Sequence, residues 1–283
     1  MTQLLYPLAR LWRVACLAPL VAAAACSQVP VDDVPPPPPG DWRLTWQDEF
    51  DGAANTAPDP AKWKYDIGGD GWGNAQLEYD TDQLANAQLD GNGHLVITAM
   101  RQAFGGRAYT SARIRTQGLL DQRYGRFEAR LKLPRGAGLW PAFWLLGSNL
   151  ATAGWPNCGE IDIMEQRGSE PSVIHGSAHG PGYSGVNPKT AHYEGEGAFL
   201  DELHDYAVEW SPGEIHWFVD GIHYHAVRAV DLPAGQRWVF DDTPMFVILN
   251  LAVGGYFGGD VDDRVFPQTL VVDHVRVYEN TAP

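Results

Sequence analysis

Beyond residue 26 the chain carries one cysteine, Cys158, so its folded part can form no internal disulfide and must be held by burial and hydrogen bonding. No basic residue adjoins Cys158, which argues for a buried structural thiol rather than a nucleophile. Cations are scarce as well: 20 Lys and Arg stand against 35 Asp and Glu, a net charge of −15. Losing Arg10 and Arg13 with a cleaved leader would take this to −17 (−15 − 2). So acidic a surface repels phosphate backbones and sulfated or uronic polymers, which excludes nucleic acid as a partner and favours a neutral ligand. No stretch of a dozen residues has a helical period, and 19% charged residues are too few for a coiled coil.

The apolar run VACLAPLVAAAA (14–25) is too short for a permanent span, which needs roughly 20 residues. With Arg10 and Arg13 before it, it has the form of a signal-peptide core, and residues 1–25 are expected to be removed on export. Cys26, between an alanine run and Ser27, matches a bacterial lipobox except that Ala23 stands where Leu is usual. The expected product is lipidated on Cys26 and anchored at the cell envelope; cleavage after a nearby Ala-x-Ala would give a secreted protein instead. Residues 26–40, ending in VPPPPPG, then form an extended polyproline tether. Residues 41–283 suffice for one large domain, expected to be monomeric.

What this domain has in abundance is aromatic residues, 11 Trp, 11 Tyr and 10 Phe, and short strands. In RYGRFEARLKL (123–133), Phe127, Ala129, Leu131 and Leu133 alternate with Glu128, Arg130 and Lys132, the period of a half-buried strand. EIHWFVDGIHYHAV (214–227) places Asp220-Gly221 between two such runs, a strong hairpin signal. HLVITAM, YTSARIRT, DYAVEW, MFVILNL and LVVDHVRVY read likewise. Antiparallel strands at this density must close an apolar face against a second sheet, so the expected fold is all-β, a two-sheet sandwich or jelly roll.

Chemistry concentrates in WPNCGEIDIME (155–165). Glu160 and Asp162 share one strand face, while Ile161 and Ile163 share the other. A regular strand would turn Glu165 inward among aliphatics, at a cost of several kcal/mol. One extra residue, a β-bulge at Ile163-Met164, returns Glu165 to the face of the other two acids. The Cα atoms of Glu160 and Glu165 are then about 13 Å apart, four strand steps of ~3.3 Å. On a concave face their carboxyls could close to roughly 5–6 Å, the separation of a retaining rather than an inverting glycosidase. Spacing alone also allows an exposed acidic strand or a cation site. Trp140 and Trp144 in GLWPAFWLL, together with Trp155, supply flat amphipathic rings suited to stacking on sugars.

GEIDIME, with LWPAFWLLG upstream and LNLAVGG (249–255) downstream, resembles the laminarinase-type endo-β-1,3-glucanases of glycoside hydrolase family 16. LTWQDEFDG, GGDGWGNAQLEYDT, YTSARIRTQGL, VIHGSAHGPGYSG and VDHVRVYE extend the resemblance in order over about residues 43–279. It implies a jelly roll with a long concave cleft, and no cofactor for catalysis. Glu160 resembles the nucleophile, Glu165 the acid/base and Asp162 the residue between them. Met164 matches the bulged laminarinase pattern and is the residue that lichenases lack. By the same resemblance Asn74, Arg113 and His179 would contact sugar hydroxyls. Asp273, with backbone carbonyls near Glu49 and Gly93, would hold a structural calcium. Two departures are Tyr256-Phe257-Gly258-Gly259, where many relatives carry Trp-Pro, and Asp80, where a second Tyr is frequent; each could alter subsite preference. The implied substrate is a neutral β-1,3-glucan such as laminarin. Mixed-linkage glucan or a galactan, or a non-catalytic glucan lectin on the same sandwich, are the competing readings.

Overall fold

The computed structural model describes residues 34–195 and 199–282, so Cys16, Cys26 and the leader lie outside the described residues. Its strands are β1 (Trp42–Asp48), β2 (Lys64–Asp66), β3 (Glu78–Asp80), β4 (Ala87–Leu89), β5 (Leu95–Ala99), β6 (Tyr109–Ser111), β7 (Arg113–Arg115), β8 (Gly125–Lys132), β9 (Leu139–Gly147), β10 (Glu160–Glu165), β11 (Val173–His179), β12 (Lys189–Glu194), β13 (His204–Ser211), β14 (Glu214–Val219), β15 (Ile222–Arg228), β16 (Met245–Val253) and β17 (Gln268–Asn280). Two single-turn helices, α1 (Leu150–Ala153) and α2 (Gly255–Gly258), join them. Among the described residues no helix is long and apolar enough to cross a membrane.

Main-chain bonds gather the strands into two large antiparallel sheets, packed as a jelly-roll sandwich. One runs β12-β11-β10-β9-β16-β7-β2; the other runs β15-β14-β13-β8-β17-β5-β4, with β1 also on β17. The pattern of β8 explains its place: Phe127, Ala129 and Leu131 are wholly buried between the sheets. On its outer side Arg126 bridges Glu128 and Glu209. Asp220 and Gly221, both at positive φ (49° and 77°), make the tight turn from β14 to β15. A small departure from antiparallel order occurs at YTSARIRT, which divides at Ala112. Its first half, β6, pairs parallel with β3, while its second, β7, pairs with β2 and β16.

Ile161, Ile163, Met164 and Leu249 of the first sheet meet Phe127, Trp210, Trp217 and Val275 of the second in one core. Each fully buried aliphatic contributes about 1.5–3 kcal/mol. Cys158 is buried in a smaller cluster with Leu146, Phe246 and Ile248. Burial pushes its thiol up to about 11, so the group stays protonated and inert, as a structural cysteine should. All nine residues of β16 are buried, including those on the face turned away from the core. A central strand covered on both faces is the floor of a recess rather than an open surface.

Candidate active site

The acids come from β10, which lies between β9 and β11. Against β11, Asp162 faces Ser177 while Glu165 faces His175, three residues on one strand against two on the other. Against β9, Asp162 faces Trp144 and Met164 faces the adjacent Phe143. The expected bulge is therefore present, and its consequence is visible in burial. Ile163 and Met164, consecutive in sequence, are both in the core, at 1% and 0% exposure. Glu160, Asp162 and Glu165 all stand on the outward face.

The row is recessed. Side-chain exposure is 17% at Glu160 and 6% at Asp162. Burial, reinforced by the charge of Asp162, pushes Glu160 and Glu165 up to about 8, and burial alone lifts Asp162 to about 8. Three carboxyls so close and so dry cannot all ionise near neutrality. They titrate as a coupled unit rather than as three independent acids. His179 sits among them, its Nε2 3.0 Å from Asp162 Oδ2 and 3.8 Å from Glu160 Oε1. Gly185 donates its main-chain N–H to His179 Nδ1 at 3.2 Å, so Nδ1 accepts and Nε2 is the nitrogen turned toward the carboxylates. Both ring nitrogens thus face protein groups; His179, expected as a sugar contact, belongs to the carboxylate row. Donor atoms of Glu160, Asp162 and His179 lie within 4.8 Å of one another, a spacing that a small cation could also bridge.

A family model, glycosyl hydrolases family 16, matches residues 72–268. This chain belongs to that family. It is 45% identical over 255 residues to the beta-glucanase of Rhodothermus marinus, covering 84% of this chain and 85% of that one. The endo-beta-1,3-glucanase of Pyrococcus furiosus superposes with a TM-score of 0.81 at 45% identity, over 86% of this chain and 97% of its own. The laminarinase catalytic domain of Thermotoga maritima MSB8 gives 0.80 at 44%, over 86% and 100%.

Around the family 16 acids, the tryptophans divide into two kinds. Trp140 is 7% exposed and donates its indole N–H to Glu165 Oε1 at 2.8 Å. It was expected to stack on sugar; its ring is instead packed against Phe257 and its polar edge committed to the acid. Trp144 donates to Asn250 Oδ1 at 2.8 Å and keeps a partly open face. The Arg113 guanidinium lies 4.7 Å from the ring centre of Trp72 and 4.8 Å from that of Trp144, and is paired with Asp66 at 3.0 Å. That cation also draws Glu160 downward against its burial. Trp155 is 46% exposed beside His179, ring centres 6.1 Å apart, and offers an open stacking face. Asn74 is exposed in a loop whose carbonyl accepts the N–H of Tyr256, itself 80% exposed.

Trp72, Asp66 and Asn250 escaped the sequence reading. Trp72 lies inside GGDGWGN, and its indole N–H is held by buried Asp80 at 2.7 Å. Asn250 had a signal, being the single polar residue in the wholly buried run MFVILNLAV.

Proposed function

We propose that the chain is an endo-acting, retaining β-1,3-glucanase of laminarinase type, acting on neutral β-glucans. The observation that carries the reading is the bulge, which sets Glu160 and Glu165 on one recessed face, opposite residues of β11 that lie two positions either side of the partner of Asp162. In this reading Glu160 attacks the anomeric carbon while Glu165 gives its proton to the departing glycosidic oxygen. A covalent glycosyl-enzyme forms and the aglycone leaves. Glu165, now ionised, takes a proton from water, which displaces Glu160 and regenerates both groups with retention. Asp162 and His179 hold the nucleophile's side of the row, and Trp140 holds Glu165. The open faces of Trp155 and Trp144 suit sugar stacking, and Arg113 and Asn74 lie where hydroxyl contacts could form. Family 16 hydrolysis needs no cofactor, because the two carboxylates supply nucleophile and acid. A glucan lectin would have no use for two acids so arranged.

The finer expectations extend this reading. For calcium, a Cβ on Gly93 would lie 3.8 Å from the Glu49 carbonyl and 3.6 Å from Asp51 Oδ1, so oxygen donors converge there. Asp273 sits at the register shift of β17; its Oδ2 is held by His274 Nδ1 at 3.0 Å, while its Oδ1, 3.7 Å from His94 Nε2, makes no hydrogen bond to that ring. The Glu49 carboxylate is held by Arg276 at 2.8 Å, leaving only its carbonyl. These residues fit a structural calcium that would tie the end of β1 to β17 and take no part in catalysis. Pro39 in the tether and Asp41 just after it bond to Asn280. A monomeric domain on a lipidated Cys26 would therefore leave the sandwich beside β17. Export and lipidation are tested by membrane partitioning of the wild type and release by Cys26→Ser.

The deciding experiment is product analysis on laminarin. Internal cleavage with β-configured products is expected, and Glu165→Ala, given an activated β-glycoside and azide, should yield a β-glycosyl azide. Inactivity across a panel of neutral β-glucans would reject the enzyme reading, and an α-azide from Glu165→Ala would exchange the roles of the two glutamates.

A further inference from the structure

The bulge that places Glu165 is held from the far side of the sandwich. Trp217 belongs to β14, in the opposite sheet, and is wholly buried. Its indole N–H crosses the core and donates to the main-chain carbonyl of Asp162 at 2.8 Å. Asp162 is the last residue before the register shifts on both sides of β10. The bond therefore falls where the strand must decide between a regular and a bulged course.

The neighbouring strand is shaped for the same contact. On β11, Ser177 faces Asp162 and His175 faces Glu165, so Gly176 is the residue opposite the bulged pair. A Cβ on Gly176 would come within 2.6 Å of Trp217 Cδ1 and 2.4 Å of Tyr224 Oη. Absence of a side chain at that one position is what admits the indole. On its other side the ring is covered by His225, centres 4.6 Å apart. A bulge leaves main-chain groups without regular ladder partners, and a one-residue slip would send the acids to the opposite face.

We infer that Trp217 is a positioning residue: its N–H fixes the bulge and through it the placement of the acid/base Glu165 relative to Glu160. This rests on the glutamate roles proposed above. Trp217 touches no substrate, and its effect should therefore appear in turnover rather than in binding.

Trp217→Phe removes the donor and keeps most of the packing. Trp210→Phe is the matched control, since Trp210 is equally buried in the same sheet and its Nε1 has no hydrogen-bond partner. On laminarin, Trp217→Phe should lose about 10- to 100-fold in kcat with KM little changed, the size expected for a misplacement near 1 Å, while Trp210→Phe stays within about threefold of wild type. Gly176→Ala, which keeps the indole but displaces it, should lose kcat in the same way. A dinitrophenyl β-glycoside of a β-1,3-linked oligosaccharide, assayed with azide, needs neither acid nor base help; on it Trp217→Phe should approach wild-type turnover, as Glu165→Ala should. If Trp217→Phe does not fold, 3-benzothienylalanine at 217, of indole shape but without the N–H, carries the same comparison. Wild-type-like kcat at 217, equal losses at 217 and 210, or an undiminished loss on the activated substrate would each overturn the inference. If Glu165→Ala itself gained nothing from the activated substrate and azide, the role of Glu165 would fail instead, independently of Trp217.

Discussion

At the scale of single residues, the acid row shows how much a neighbour's polar edge matters. Trp140 was legible as an aromatic near the acids, but not as the donor to Glu165, because that bond depends on which residue of β9 lies beside which residue of β10. The same holds for His179, whose place between Glu160 and Asp162 follows from the pairing of Glu160 with its own backbone. The N–H of Trp140 draws Glu165 downward while burial draws it up to about 8, and burial prevails. Removing the donor in Trp140→Phe should raise Glu165 further. If Glu165 is the acid, as proposed, it must be protonated to act, so the alkaline limb of kcat/KM should move to higher pH, with kcat lower by roughly tenfold for the lost orientation. A pH–rate profile checks this; an alkaline limb that stays or moves down would show that the bond does not act on the proton of Glu165. Trp155→Ala removes an exposed ring rather than a structural one, so laminarin KM should rise about 5- to 30-fold, from the ~1–2 kcal/mol of a lost stacking face, while the melting temperature stays near wild type.

At the scale of elements, most strands could be read because alternation reports which face is buried, and β8 and the β14–β15 hairpin fell where their patterns placed them. The bulge was readable for the opposite reason: a regular strand would have buried a carboxylate, and the aliphatics Ile161 and Ile163 fixed the inner face. The parallel pairing of β3 with β6 was not readable, since it joins short segments far apart in the chain with no pattern of their own. The Trp217 contact, 55 residues from Asp162, is of the same kind. Deleting Met164 tests the element directly. The strand GEIDIE can run regularly with all three acids on one face, but it shifts Glu165 along the strand and gives up a fully buried side chain. We expect stability to fall by about 1.5–3 kcal/mol. Turnover should fall on the order of a hundredfold or more. Retained turnover in a deletion that still melts cooperatively would mean that the bulge does not set the catalytic geometry.

At the scale of the whole molecule, the cleft is built at the expense of stability in a way that pH exposes. Glu160, Asp162 and Glu165 are each held up near 8, and beneath the Trp72 loop Glu78 and Asp80, 1% and 2% exposed, are held up to about 8 and about 7 by burial. A carboxyl whose folded value is raised binds its proton more tightly folded than unfolded. Its contribution is fully present below the unfolded value near 4 and is lost as pH rises through 7 to 8. On the acid side Glu128, faced by His274 at 3.7 Å and hydrogen-bonded by Arg126, is held down to about 2, so its contribution is present above roughly 4.5 and lost as pH falls toward 2. Together they predict a melting temperature that is highest near pH 5 and declines toward pH 9. The net charge of −15 grows with pH and acts in the same direction, so the decline alone does not identify its source. Substitution does. Glu78→Gln keeps the amide oxygen for the N–H of Val253, now 2.7 Å from the carboxylate, and removes a buried titrating group. Glu194→Gln, on the exposed end of β12, removes a charge that costs the fold nothing to solvate. The first should flatten the decline between pH 5 and 9, whereas the second should leave it parallel to wild type. Equal flattening by both would assign the pH dependence to overall repulsion and leave the buried carboxyls without the role argued for them.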